Sequence, residues 1–72
     1  MSLEPPKHWP GIAGDAVSCR EKIKMLEENH REAAELLRDV FEDAVLMGVE
    51  EAEMRRILTE LVDALPSPRR AR

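Results

Sequence analysis

The sequence predicts an all-α protein: one long helix and one shorter helix in a helical hairpin or corner, with two copies dimerising into a four-helix bundle. Three observations carry this. Residues 15–47 contain no proline or glycine. Apolar side chains recur through that stretch at spacings that alternate between three and four, the signature of a helix with one buried seam. The chain has only 72 residues and one cysteine. A core of that size is marginal, and no internal disulfide can reinforce it, so a second chain is the expected supplement.

The first element is an arm, residues 1–14, in which Pro5, Pro6, Pro10, Gly11 and Gly14 exclude a helix. Trp9 and Ile12 are its bulky apolar groups, and Trp9 is placed to dock on a helix or a partner. The long helix is expected over residues 15–47, about 45 Å. Asp15 is one candidate cap, and Ser18 with Glu21 forms an alternative capping box. Glu, Leu, Arg, Ala and Lys dominate the stretch and favour helix. Its seam runs through Ala16, Cys19, Ile23, Leu26, His30, Ala33, Leu37, Val40, Ala44 and Met47, with Leu36 and Phe41 widening it toward the C-terminus. The outer face carries charges at pairing distance, such as Glu28 with Arg31 and Glu35 with Arg38. Cys19 reads as a small, half-buried helix residue, although Arg20, Lys22 and Lys24 nearby can lower its pKa.

Gly48 stands where a left-handed residue ends a helix. The second helix is expected over residues 50–65. Glu50, Glu51 and Glu53 occupy its first turn, where the helix dipole favours acids. Met54, Ile57, Leu58, Leu61 and Leu65 form its stripe, Val62 broadens it, and Pro66 stops it. Residues 66–72 read as a short, flexible basic tail. The core predicted from both stripes is Ile23, Leu26, Leu37, Val40, Phe41, Ala44, Met47, Ile57, Leu58, Leu61 and Leu65. The interface between copies is predicted at Ile23, Leu26, His30, Ala33, Leu37, Val40 and Phe41, with Trp9 from the arm.

Fifteen acids face eleven bases, a formal charge of −4. The distribution is uneven: the arm is neutral, the long helix carries −4, the second helix −3, and the tail +3 through Arg69, Arg70 and Arg72. No apolar run approaches the roughly 20 residues of a membrane span. No secretory leader is recognisable, and a lone thiol suits a reducing compartment, so the expected location is cytoplasmic. No nucleotide-binding, nucleophile-elbow or zinc-protease motif is present. Two helices offer little concave surface for a small-molecule substrate. The expectation is a protein that is not an enzyme and carries no cofactor.

One pattern points to metal chemistry. Glu27 and His30 stand three apart on one helix face, so both can ligate one ion, as in carboxylate-bridged di-iron bundles. Glu53 or Glu60 of the second helix would have to complete the set. The plainer reading makes His30 a polar seam residue that fixes register. A pair of His30 side chains across a dimer would then repel, and loosen the dimer, as pH falls toward about 6.

A second pattern lies at the joint. Ala44 supplies a small residue for close helix contact, Gly48 the turn, and Val49, Met54 and Ile57 the apolar positions that follow. With these residues, the stretch from Val40 to Thr59 resembles the helix-turn-helix of bacterial DNA-binding regulators. The resemblance covers about twenty of the 72 residues. It implies a dimeric transcriptional regulator whose phosphate contacts come from Arg55, Arg56, Arg69, Arg70 and Arg72. The sequence departs from the pattern at Asp43, where the motif usually holds an apolar residue. It departs again at Glu50, Glu51 and Glu53, which place acids where DNA would be read.

The reading that follows is a small, non-enzymatic interaction or regulatory module that associates with itself and with another protein. A helix-turn-helix regulator is the alternative, and a metal-binding carboxylate and histidine bundle the second alternative.

Overall fold

The computed structural model describes residues 2–69. It is helical, with two helices and, among the described residues, no strand: α1, Arg20–Leu46, and α2, Glu51–Asp63. The chain packs as two compact units that divide between Asp39 and Val40, where one two-helix domain was expected.

The first unit begins with the largest departure from the sequence expectation. The arm does not stop at Gly14; it closes into a loop that consumes the first residues assigned to the helix. The Val17 N–H donates to the Trp9 carbonyl at 2.7 Å and the Gly11 N–H to the Asp15 carbonyl at 2.8 Å. Pro10 and Ala16 form an isolated antiparallel bridge, and a tight turn between them is held by Gly14 N–H to Gly11 carbonyl, 3.1 Å. Gly11 is required here, because a Cβ at that position would lie 2.5 Å from the Asp15 carbonyl oxygen. Backbone donors and acceptors paired across this loop are unavailable to a helix, so neither Asp15 nor Ser18 caps α1. The first helical bond is Ile23 N–H to Cys19 carbonyl, 2.9 Å, which makes Cys19 the capping residue. Ala16 and Cys19 therefore leave the predicted seam.

α1 ends as predicted, at a glycine. Val49 N–H reaches back to the Ala44 carbonyl at 2.9 Å and Gly48 N–H to the Val45 carbonyl at 3.0 Å. With Gly48 at φ +105°, this is a Schellman motif, which satisfies carbonyls that the helix end would leave unpaired.

In the second unit, Glu50 adopts an extended conformation (φ −68°, ψ 138°) and caps α2, its Oε1 accepting from the Glu53 N–H at 2.9 Å. The helix closes at Asp63, two residues short of the expected Leu65. The residue before a proline is pushed out of the helical region, so Pro66 acts on Leu65 and the final turn is lost. The Arg55 guanidinium lies over the Phe41 ring, 4.5 Å from its centroid. Such a contact contributes about 0.5–1 kcal/mol at an exposed site.

The predicted core does not form within one chain. Ala44, at 7% exposure, is the buried apolar residue among those described. Ile23, Leu26, Phe41, Met54 and Leu58 are half-buried. Leu37, Val40, Met47, Ile57, Leu61 and Leu65, all expected inside, are exposed. The pairs expected along α1, Glu28 with Arg31 and Glu35 with Arg38, do not form; among the described residues the ion pairs belong to Arg56. Exposed pairs gain little over solvation by water, so their absence from a solvated face costs little.

Candidate interaction surface

Three places collect the residues singled out above: the Trp9–His30 contact, the cap at Cys19, and the apolar faces of the helices.

The closed loop delivers Trp9 to His30. The rings meet edge to face, with centroids 5.9 Å apart at 74°, the arrangement that the aromatic quadrupole favours. Both residues are half-buried, as is Glu27. Trp9 Nε1 and His30 Nδ1 are buried, and neither has a hydrogen-bond partner among the described residues. Ring packing therefore holds the contact. Of the predicted interface residues, Trp9, His30, Ile23 and Leu26 are thus already partly covered within their own chain, while Ala33, Leu37 and Val40 remain exposed. With the loop closed, Trp9 occupies one side of the His30 ring that a second copy would need.

The metal reading finds no completed ligand set. Among the described residues, no three His, Cys, Asp or Glu side chains come together. The two residues expected to complete the site are engaged elsewhere: Arg56 bonds Glu53 Oε1 and Glu60 Oε2, each at 2.8 Å. These carboxylates hold the Arg56 pKa above its ordinary value, Glu53 contributing most.

Cys19 is exposed, not half-buried. The thiol sits at the start of α1, and its pKa lies below the ordinary value. The main cause is a hydrogen bond from the Lys22 backbone N–H; desolvation opposes it, and the Glu21 N–H and the Lys22 charge add smaller lowering contributions. These are the orphan donors that every helix N-terminus presents.

Two of the five would-be DNA-contacting cations make contacts within the chain. Arg55 covers Phe41, and Arg56 is spanned by two carboxylates. Arg69 is exposed. Arg70 and Arg72 lie outside the described residues. At the corner between the helices Ala44 is buried and Gly48 is left-handed.

Two open grooves mark the first unit. Leu3, Glu4, Arg31, Ala34, Glu35 and Arg38 line one of about 310 Å³. Glu21, Lys24, Met25, Glu28, Asn29 and Glu32 line one of about 520 Å³. Each mixes acids with bases, and neither holds a histidine or a thiol. More conspicuous are the uncovered apolar side chains: Met25, Leu36 and Leu37 on α1, and Ile57, Leu61 and Val62 on α2, followed by Leu65. No helix among the described residues is long and apolar enough to cross a membrane, so these faces are not spans.

Compared with known proteins, the chain matches no family model, no curated protein and no solved structure.

Two outcomes are expected here. His30→Phe keeps a ring against Trp9 and removes an unpaired buried nitrogen, so it should equal the parent or gain up to about 1–2 kcal/mol. His30→Ala should lose about 1–2 kcal/mol by removing a half-buried ring and red-shift the emission of Trp9, the chain's single tryptophan. Denaturant titration followed by that emission checks both, and a Phe variant weaker than the parent would show that the nitrogen is used. For Cys19, a lowered folded pKa means more thiolate in the native chain than in the unfolded one at pH below the ordinary thiol pKa. Alkylation at about pH 7.5 should be faster in buffer than in urea, with the ratio closing toward one above about pH 9.5. By linkage, the same thiolate adds stability that is fully present above the unfolded pKa and is lost as pH falls through the folded one.

Proposed function

We propose that this chain is a small helical interaction module, without catalytic chemistry of its own, that acts by associating with itself and with another protein. One observation carries the reading: two amphipathic helices with a single buried apolar residue among those described, and exposed Leu, Ile and Val along both. A domain this size must hide about 60% of its chain surface to be stable, and stripes left in water supply none of that. Covering them with another helical surface would supply it. The exposed thiol of Cys19, with no second cysteine to pair with, suits a reducing, cytoplasmic setting.

The helix-turn-helix reading keeps a place because of the buried Ala44 and the left-handed Gly48. Against it, the acids at the head of α2 serve as cap and as partners for Arg56. That arrangement engages Arg56, one of the cations that would displace counterions from a phosphate backbone.

Sedimentation or light scattering at micromolar concentration should give a mass of at least two chains, and a stable monomer would remove the self-association claim. Retention on duplex DNA is expected to be negligible even at low salt. Salt-dependent retention lost in Arg55→Ala/Arg56→Ala would instead establish the regulator.

A further inference from the structure

We infer that residues 15–19 form a two-state element. Closed, as in this structure, they belong to the Trp9 loop. Open, with Trp9 lifted from His30, residues 16–19 join α1 as an added N-terminal turn capped by Asp15. Only the first unit is involved, whatever covers the exposed apolar faces.

The open state is written in residue types. Asp15, Ala16, Val17, Ser18 and Cys19 include no glycine or proline. Asp is a preferred capping residue and Ala the strongest helix former. Ala16 and Cys19 also fall at the three-four spacing that leads into Ile23. Extending an existing helix carries no nucleation cost, and α1 is already formed from Arg20 onward. The closed state is held by Val17 N–H to the Trp9 carbonyl and Gly11 N–H to the Asp15 carbonyl, with the Trp9–His30 ring contact. Ala16 pairs with Pro10 in an extended bridge there, so it cannot be helical at the same time. Closure also has a polar cost. Trp9 Nε1 and His30 Nδ1 are buried with no hydrogen-bond partner among the described residues, and opening returns both to water. A turn that propagates cheaply thus competes with a loop that closes at a cost.

Opening changes α1 in two ways together. It frees the His30 ring from Trp9, and it lengthens the apolar seam by Ala16 and Cys19. The thiol reports which state is present. In the closed state the Lys22 and Glu21 N–H groups donate to Cys19. They are free to do so because α1 begins at Arg20. In the open state the helical ladder, each N–H bonding four residues back, directs them to the carbonyls of Ser18 and Val17. The thiolate then loses the donors that stabilise it.

Gly11→Ala tests this by blocking closure, since its Cβ would lie 2.5 Å from the Asp15 carbonyl oxygen. Three signals should move together in the full chain. Trp9 emission shifts to the red, and the Cα chemical shifts of residues 16–19 move to helical values. The ratio of Cys19 alkylation in buffer to that in urea, at about pH 7.5, falls to about one or below. Trp9→Ala removes the ring contact without altering the loop backbone. It should reproduce the second and third signals, and it carries the test if Gly11→Ala fails to fold. Gly11→Ala/Ala16→Gly should keep the red shift and lose the helical shifts, because glycine opposes the added turn. Red-shifted emission in Gly11→Ala with residues 16–19 at coil values means that the freed segment only frays, and overturns the inference. Residues 16–19 that keep the parent's chemical shifts in both Gly11→Ala and Trp9→Ala overturn it as well.

Discussion

The left-handed backbone of Gly48 is the constraint on which the second half of the molecule depends. Residues 20–63 have helical character almost throughout, and with an ordinary residue at 48 the simplest outcome is one continuous helix. At φ +105° the chain instead turns back its N–H groups, Val49 donating to Ala44 and Gly48 to Val45. That turn fixes Ala44 as the buried point of the corner and lets a new helix start under its own cap, Glu50. A side chain at 48 would have to adopt a conformation that costs about 1–2 kcal/mol for L-residues, a large fraction of what so small a domain can hold.

The sequence makes this corner legible because it rests on residue types with few alternatives. A glycine after a helical run, three acids after the glycine and a proline beyond the last leucine each have a specific backbone meaning. The positions of both helix ends near Gly48 follow from these markers. The N-terminal loop was not legible for the opposite reason. Ala16, Val17 and Ser18 tolerate either helix or extended structure, and Ala16 with Cys19 continues the apolar spacing of the seam. What decides their state is pairing with Trp9 and Gly11, a contact between segments that a periodicity count does not register. Cys19 changes meaning with it. Inside a helix it is a small apolar residue; at the first position its thiol meets the free N–H groups of Glu21 and Lys22.

Charge tells a similar story. The acids of α2 look, by position, like a flaw in a DNA-reading helix. In the fold they perform ordinary structural work: Glu50 caps, and Glu53 and Glu60 hold Arg56 from either side. A helix of 13 residues is short enough to be marginal alone in water, and these local bonds add about a few tenths of a kcal/mol each to the half-burial of Met54 and Leu58. The same network engages Glu53, Glu60 and Arg56, residues on which the metal and DNA readings would draw.

The long seam on α1 thus divides into parts with different fates. Toward the N-terminus, the loop packs Trp9 against His30, and Ile23 and Leu26 are half-buried within the chain. Ala33, Leu37 and Val40 are exposed. Beyond the corner, Met54 and Leu58 of α2 are half-buried while Ile57, Leu61 and Val62 stay in water. A uniform run of apolar spacing reads as one interface because sequence periodicity records only that a face is apolar, not what lies against it. The structure separates the two questions. It shows that the half nearest the arm packs a tryptophan of the same chain against His30, and that Leu37, Val40, Ile57, Leu61 and Val62 further along stay exposed.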